Sequence, residues 1–321
     1  MPFKILITRD FDQMSRAAAD VVEADIATTR EAQERYVLGL ATGNSPTGLY
    51  KNLARAFNDG RIDAGRVTSF NLDEYVGLPG ENAQQRALHP ESYTYFMIRE
   101  LFGLLDRPFA ETNVPCGTLI DQAALTEALE RQTRDYELQG TDKGKAIAIR
   151  DGADGVLGWI KSEILDAYER KIAQTGGIDL HVVGVGGRGH VAFHESGIPF
   201  ADNRMLLVRL DDDTVENAVA DGHFDAVEDS PHYAISMGAE LVYKARKVVL
   251  VANGARKTGP VSESVLGSVT PEVPISYGQR FVAEGGDLTY VLDETAAADL
   301  LARRAAVDAK GYEIVDLRDT P

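Results

Sequence analysis

The sequence predicts an α/β fold with a single doubly wound, mostly parallel sheet and helices on both of its faces. Strand-like and helix-like segments alternate along the 321 residues with short connections, which is typical of βαβ units. Leu180 to Val185 forms a nearly continuous apolar run bounded by glycines, as expected of a strand buried on both faces of a parallel sheet. No internal repeat is visible. Residues 1–321 are therefore expected to form a single α/β domain.

Apolar periodicity and capping residues assign the elements of the amino-terminal half. Asp10 is placed to cap a long first helix, because apolar residues recur along one side of the segment that follows it. The predicted strands are Lys4 to Thr8, Arg35 to Leu40 and Val67 to Leu72. Further helices are predicted after the Ala41 to Gly48 loop, after His89 and over Ala123 to Tyr136.

The carboxyl-terminal half continues the alternation after one irregular segment. Gln139 to Gly158 is charged, glycine-rich and weakly apolar, and we interpret residues 139–158 as an insertion or a mobile loop. Helices are predicted over Trp159 to Ile172, from Asp211, around Ala234 to Val242 and from Thr295. Strands are predicted at Met205 to Leu210, Val248 to Ala252 and Leu288 to Leu292.

The composition limits the cellular compartment and the classes of binding partner that we expect. The formal net charge of −17 argues against nucleic acid, whose phosphates need patches of lysine and arginine. No apolar run approaches the roughly 18 residues of a membrane span, and the amino terminus has no apolar segment behind a basic start. The single cysteine, Cys116, excludes internal disulfides and a multi-cysteine metal site. We expect a cytoplasmic protein with no membrane partner, and assembly into a homo-oligomer is left open.

The stretch Ile178 to Gly197 concentrates reactive side chains behind the central strand. Its glycines allow sharp turns and carry Arg188, His190 and Glu195 into a short irregular segment. The carboxyl end of a central parallel strand is where open α/β sheets usually bind ligands. Three of the glycines also spell the dinucleotide motif G-x-G-x-x-G, but the sequence behind them is a poor helix. We therefore predict the reaction site here, without a dinucleotide.

A second candidate site follows the strand that ends at Leu40. The loop contains Thr42, Gly43, Asn44 and Ser45, and a proline precedes the next helix. Backbone N–H groups and the positive end of a helix hold an anion in this geometry. The loop lacks the Gly-Lys-Ser/Thr of a Walker motif. An ordinary helix cap is the alternative.

Two adjacent carboxylates, Asp73 and Glu74, follow the third predicted strand. Side chains alternate along a strand, so one of the pair can face a cleft while the other packs elsewhere. The alternative is that both only cap a helix or lie at a solvated edge.

Several segments in chain order resemble the glucosamine-6-phosphate deaminase/isomerase family. They are GLATGNSPTGLY (39–50), FNLDEYVGL (70–78) with HPESY (89–93), GVGGRGHVAFHES (184–196) and VLVANGARK (249–257). The wider superfamily also holds 6-phosphogluconolactonases, which share the central turn but generally lack the DEYVGL segment. The fold implied by the resemblance is the predicted one, a modified Rossmann-like α/β sheet.

The resemblance implies an amino-sugar phosphate reaction and assigns roles to residues. The family opens the sugar ring, moves a proton between C2 and C1, and releases ammonia. Asp73 matches the base that moves the proton, His190 matches the acid/base of ring opening, and Glu195 matches the carboxylate that orients this histidine. No metal or organic cofactor is implied.

The resemblance also assigns the substrate phosphate to two places. Lys257 matches a lysine that contacts the phosphate. Thr42 to Ser45 match the loop whose amides and hydroxyls hold it. The expected partner is thus a small sugar phosphate or another anionic sugar.

The chain departs from the family at several points. Arg188 stands where the family carries an aspartate of the ring-opening relay, and residues 215–224 lack the family's phosphate-binding arginine. One interpretation is that Arg188 binds the anionic group of a variant substrate. The other is that Arg188 turns to solvent or pairs with Glu195. The 139–158 segment and the extra residues Glu81 to Leu88 are further differences.

Three functions remain open from the sequence. A deaminase or isomerase of an anionic sugar is favoured because Asp73, His190, Glu195 and Lys257 are present together. A 6-phosphogluconolactonase-like hydrolase needs no enolising base, so it predicts that Asp73 faces away from the pocket. A non-catalytic sugar-phosphate sensor is suggested by the change to Arg188.

Overall fold

The computed structural model describes residues 3–30, 33–200, 204–220 and 222–320. Its strands are β1 (Lys4–Thr8), β2 (Tyr36–Leu40), β3 (Val67–Asn71), β4 (Asp73–Val76), β5 (Glu111–Asn113), β6 (Tyr136–Thr141), β7 (Gly144–Ile149), β8 (Leu180–Val183), β9 (Met205–Arg209), β10 (Tyr233–Met237), β11 (Lys247–Ala252), β12 (Asp287–Asp293) and β13 (Glu313–Asp316).

The α-helices vary from one turn to more than five. They are α1 (Phe11–Arg30), α2 (Thr47–Asn58), α3 (Ala83–Ala87), α4 (Tyr93–Glu100), α5 (Gln122–Arg131), α6 (Gly155–Trp159), α7 (Asp166–Gln174), α8 (Asp212–Ala220), α9 (Ala239–Val242), α10 (Thr258–Leu266), α11 (Tyr277–Ala283), α12 (Ala298–Ala302) and α13 (Arg304–Ala309). A π-helical segment, Ile160–Leu165, joins α6 to α7, so the helix predicted over Trp159 to Ile172 is present. None of the helices in these ranges is long and apolar enough to cross a membrane.

An eight-stranded sheet forms the centre of the fold, in the order β13-β1-β12-β11-β8-β2-β3-β5. All of its neighbouring strands run parallel. Alternate residues of β11 belong to two different apolar clusters, with Val248 and Leu250 in one and Val249 and Val251 in the other. Since side chains alternate along a strand, both faces of the sheet are covered. The predicted parallel α/β fold is confirmed.

A second, antiparallel sheet corrects the prediction of one sheet. Its order is β4-β10-β9-β7-β6. The helix predicted around Ala234 to Val242 is wrong over its first half, because residues 233–237 pair as β10 with both β4 and β9. Pairing with two neighbours decides the conformation of such a short segment, in which helix propensity is only a weak preference.

The segment 139–158 is not an irregular loop. Much of it belongs to a β-hairpin, β6–β7, which closes with Thr141 opposite Gly144 and adds to the antiparallel sheet through β9. The outer strand β6 is largely exposed, whereas β7 buries Ala146 and Ile147. The weakly apolar composition therefore reflects an edge hairpin with one solvated face.

Four neighbouring parallel strands direct their carboxyl ends to the same edge. In the sheet, β11, β8, β2 and β3 lie side by side. The loops that follow them carry the segments singled out in the sequence. The glycine-rich stretch after β8 leads into turns and an isolated bridge between Val191 and His194, not into a helix. This local structure does not fit a dinucleotide motif.

Candidate active site

A cleft of about 210 Å³ opens at the carboxyl ends of these four strands. It brings together most of the predicted site residues. Among its lining residues are Thr42, Gly43, Asn44, Ser45, Asp73, Tyr93, Gly186, His190, Ala192, Phe193 and Lys257. Two predicted residues do not line it: Glu195 lies behind His190, and Arg188 points elsewhere.

Asp73 is the carboxylate that faces the cleft. It begins β4, where it is paired in register with Ser236, and it is only 5% exposed. Its Oδ1 has no hydrogen-bond partner among the described residues. Burial raises the pKa of Asp73 well above its usual value, and the neighbouring Glu74 charge raises it further. The site thus holds a buried carboxylate with an increased affinity for a proton.

Glu74 has a structural role at the start of α4. Its carboxylate accepts hydrogen bonds from the backbone N–H groups of Tyr75, Tyr93 and Thr94, at 2.9 to 3.0 Å. The hydroxyl of Ser92 also donates to it, at 2.8 Å. Alternation along β4 therefore gives the two adjacent carboxylates different environments, as the sequence suggested.

Replacing Glu74 by alanine is expected to destabilise the protein. Each buried donor that loses its partner costs about 1–3 kcal/mol, and several lose theirs at once. We expect the free energy of unfolding in urea to fall by about 3 kcal/mol or more. Glu81→Ala, at an exposed site nearby, should change it by no more than about 0.5 kcal/mol. Equal effects of the two substitutions would contradict the structural role.

His190 lines the cleft, and Glu195 lies behind its ring. The Nδ1 of His190 lies 3.4 Å from the Oε2 of Glu195, which is only 2% exposed. This arrangement leaves Nε2 as the ring nitrogen available to a ligand. Gly186 lies directly against the imidazole, and a Cβ at this position would overlap the ring. The glycine is therefore required for the position of the histidine.

The nearby His194 is held in place by its neighbours. Its Nδ1 accepts from the backbone N–H of Ala239, and its Nε2 lies 2.9 Å from the carbonyl oxygen of Ile198. Because Nδ1 accepts a hydrogen bond, the proton of the neutral ring is on Nε2. His194 fixes the turn and does not line the cleft.

The loop after β2 and a lysine also line the cleft. Gly43 adopts φ +107°, and the hydroxyl of Ser45 donates to the side chain of Asn253 at 2.8 Å. The loop leads directly into the first turn of α2, a twelve-residue helix. Lys257 lines the same cleft and donates from Nζ to the carbonyl oxygen of Val185 at 2.7 Å. A helix N-terminus and an ammonium group together favour an anion.

Two aromatic residues that line the cleft were not predicted from the sequence. Tyr93 and Phe193 stack with an interplanar angle of 3°, their ring centroids 5.7 Å apart. Burial raises the pKa of the Tyr93 hydroxyl well above its usual value, so this group stays protonated. Tyr93 lies in the motif HPESY and Phe193 in GVGGRGHVAFHES, so membership of these motifs could have identified both as site residues. Ala192, between His190 and Phe193, has a φ of 51° that marks a strained turn.

Arg188 is held away from the cleft. Its guanidinium pairs with Asp211 at 2.9 Å and with Asp213 at the start of α8. It therefore neither binds Glu195 nor lines the cleft, and its charge is compensated by two carboxylates. The sequence showed the unusual arginine, but the partners lie more than twenty residues away and could not be identified from it.

The segment 215–224 places no arginine near the cleft. It carries His223, whose Nδ1 lies 2.7 Å from a carboxylate oxygen of Glu91. The adjacent Phe224 packs against Tyr75 in the small apolar cluster beside the cleft. His223 therefore joins this segment to the one that carries Tyr93.

Comparison with known proteins shows similarity over almost the whole chain. A glucosamine-6-phosphate deaminase from Clostridioides difficile strain 630 is 33% identical over 312 residues, which cover 97% of this chain and all of the relative. One from Clostridium perfringens is 32% identical over 294 residues, covering 92% of this chain and 98% of the relative. No model of a known protein family matches the chain.

Solved structures show the same fold. A monomeric glucosamine-6-phosphate deaminase superposes with a TM-score of 0.69 at 23% identity, covering 92% of this chain and 99% of the other. A 6-phosphogluconolactonase from Trypanosoma cruzi superposes with a TM-score of 0.55 at 20% identity, covering 94% and 98% of the two chains.

Proposed function

Because this chain belongs to the glucosamine-6-phosphate deaminase family, we propose that its cleft converts glucosamine 6-phosphate into a ketose phosphate and ammonia. The observation that carries the proposal is that Asp73 and His190 line one cleft with the 42–45 loop and Lys257. A buried base, an imidazole and an anion site are the three parts that this reaction needs.

Asp73 is the proposed base for the proton transfer. After ring opening, it removes the proton from C2. The electrons of that bond form the C1–C2 double bond of an enolamine, while the C1 carbonyl bond opens and its oxygen takes a proton to become a hydroxyl. The same carboxyl returns the proton to C1, which leaves an imine at C2. Water adds to the imine, and ammonia leaves. Burial supports this role, since a base with a raised pKa both accepts and returns a proton at moderate pH.

His190 and Glu195 are proposed to open the ring. Opening requires a proton at the ring oxygen and removal of one from the anomeric hydroxyl, and imidazole can perform both transfers. Glu195 lies 3.4 Å from Nδ1, so it orients the ring and directs Nε2 toward the sugar. These steps are proton transfers, and the overall reaction consumes only water.

The phosphate is proposed to bind between the 42–45 loop and Lys257. The net charge of −17 repels anions at long range, so local positive groups must capture the substrate. The amides at the start of α2 and the Lys257 ammonium supply such groups in the cleft. Asp73 and His190 then face the C1–C2 end of the sugar.

Arg188 is proposed to have no direct contact with the sugar. Replacing it by methionine is expected to leave KM nearly unchanged, because the guanidinium is directed to Asp211 and Asp213. The free energy of unfolding should fall by about 1–3 kcal/mol, since the buried Asp211 loses its cation. Steady-state kinetics and urea unfolding measure the two effects. A large rise in KM at unchanged stability would show instead that Arg188 binds the substrate.

A substrate panel tests the function against its alternatives. The purified chain should release ammonia from glucosamine 6-phosphate and none from unphosphorylated glucosamine at the same concentration. The lactonase alternative expects Asp73 to face away from the cleft, which it does not. Hydrolysis of 6-phosphogluconolactone without ammonia release from the amino sugar would overturn the proposal. So would tight binding of glucosamine 6-phosphate with no turnover, as expected of a sensor.

A further inference from the structure

The tip of the β6–β7 hairpin lies directly against the turn that carries His190 and Glu195, residues 184–197. Gly144, the first residue of β7, has φ +136° and packs on the side chain of Glu195. A Cβ at Gly144 would overlap the Cβ of Glu195 and would lie 2.8 Å from its Cγ. Such a close approach of backbone to side chain requires glycine.

A second glycine makes the reverse contact. Gly197, two residues after Glu195, has φ +87°, and a Cβ there would overlap the Thr141 hydroxyl and lie 2.7 Å from its methyl group. Thr141 Oγ1 also lies 3.5 Å from the carbonyl oxygen of Ser196. The hairpin and the turn thus fit together through two glycines, one from each side.

The segment around Glu272 also holds this turn. Gly197 donates its N–H to the carbonyl oxygen of Pro271, and Ser196 donates its hydroxyl to that of Glu272, each at 2.8 Å. Lys143, in the hairpin tip, pairs with the Glu272 carboxylate at 3.5 Å. The turn therefore contacts both the hairpin and this segment.

Packing, more than hydrogen bonding, holds the side chain of Glu195 in place. Its carboxylate is almost fully buried, and its Oε1 has no hydrogen-bond partner among the described residues. Few polar contacts therefore restrict the side chain, and the hairpin tip limits its movement on one side. A displacement of Glu195 would carry over to the Nδ1 of His190.

We propose that the hairpin tip, residues 141–144, is a positioning element that sets Glu195 and, through it, His190. This inference rests on the proposed function, in which His190 opens the ring. It gives the segment first interpreted as an insertion or a loop a part in catalysis, without any contact to the substrate. A misplacement of about 1 Å in a catalytic group can cost roughly 100-fold in rate.

Gly144→Ala tests the proposal directly. We expect kcat to fall about 10- to 100-fold with little change in KM, because the phosphate site is formed by other segments. The matched control is Gly152→Ala, which also has a positive φ, of 81°, but has open space around its Cβ. Gly152→Ala should keep nearly normal kcat. Equal losses in the two variants would overturn the proposal.

A double-mutant cycle separates positioning from general damage. In a Glu195→Gln background, Gly144→Ala should have little further effect on kcat, because the residue it acts through is already impaired. Independent, multiplying losses would contradict the proposal. Should Gly144→Ala fail to fold, Gly197→Ala takes its place, and Thr141→Ala should partly rescue it by removing the two nearest atoms. No rescue would count against the proposal.

One readout does not depend on turnover. The NMR signals of the His190 ring nitrogens report the contact with Glu195 in the unliganded protein. They should shift in Gly144→Ala and stay unchanged in Gly152→Ala. If the wild-type chain releases no ammonia, the proposed function fails, yet this spectrum still tests the positioning. Unchanged His190 signals in Gly144→Ala would overturn the inference alone.

Discussion

Asp73→Asn is expected to lower kcat about 10²- to 10⁴-fold, with KM for glucosamine 6-phosphate nearly unchanged. Asparagine keeps the size of the side chain but cannot accept the C2 proton. The proposed phosphate site, formed by the 42–45 loop and Lys257, remains intact, so binding should persist. Ammonia release under steady-state conditions measures both constants. A variant with near-normal kcat would exclude Asp73 as the base.

The same substitution is expected to stabilise the protein at neutral pH. Burial raises the pKa of Asp73 in the folded state above its unfolded value, so the folded state binds the proton more tightly. The stability contributed by this group is therefore lost as pH rises between the two values. Asparagine does not ionise, so the variant avoids this loss of folding stability at neutral pH. Its melting temperature should therefore be higher than that of the wild type. Asp12→Asn, at an exposed position, should change neither activity nor melting temperature appreciably.

The raised pKa also predicts a pH dependence of the rate. The base must be ionised to remove the C2 proton, so kcat/KM should fall on the acid side through a pKa above the ordinary range of aspartate. Glu74 is a buried neighbour and its pKa is raised as well, so the two carboxyls can titrate together. An acid limb in the ordinary range of an exposed aspartate would contradict a buried base.

Lys257→Met is expected to raise KM about 10- to 150-fold with a smaller effect on kcat. A hydrogen bond to a charged group contributes about 1.5–3 kcal/mol, which corresponds to this range. Lys257 lines the same cleft as the 42–45 loop, and the phosphate is proposed to bind to both. Arg256→Met is the matched control. Arg256 is the cationic residue next to Lys257, but it is exposed and does not line the cleft.

Binding of a sugar without phosphate separates phosphate recognition from damage to the cleft. Lys257→Met should weaken binding of glucosamine 6-phosphate but not the weak binding of glucosamine, as measured by calorimetry. Equal losses for both sugars would show that Lys257 shapes the cleft through its bond to Val185 instead.

The parallel sheet could be predicted because each of its central strands carries its own signal. The apolar residues of β2, β8 and β11 are buried on both faces, so an apolar run bounded by glycine or charge suffices to identify each strand. In the antiparallel sheet only β9 carries a comparable signal, in the apolar segment predicted as the strand Met205 to Leu210. Strand β10 is short and lies far along the chain from its partner β4, so its conformation depends on pairing that a local pattern does not contain.

The grouping of the candidate site residues in one cleft was predictable to a similar extent. Asp73, His190 and Lys257 lie in motifs that follow strands, and the carboxyl ends of parallel strands meet at one edge. The partners of Arg188 and the contact of Gly144 with Glu195 were not predictable, because both join segments that are distant in sequence. Such contacts depend on the packing of the second sheet.

A crystal structure with an unreactive open-chain amino-alditol 6-phosphate tests the central claim most directly. We predict that the phosphate contacts the amides of residues 42–45 and the Lys257 ammonium. The C1–C2 end should then lie within hydrogen-bonding distance of the Asp73 carboxylate and of the His190 Nε2. A phosphate bound at Arg188, or a C2 atom out of reach of Asp73, would contradict the account.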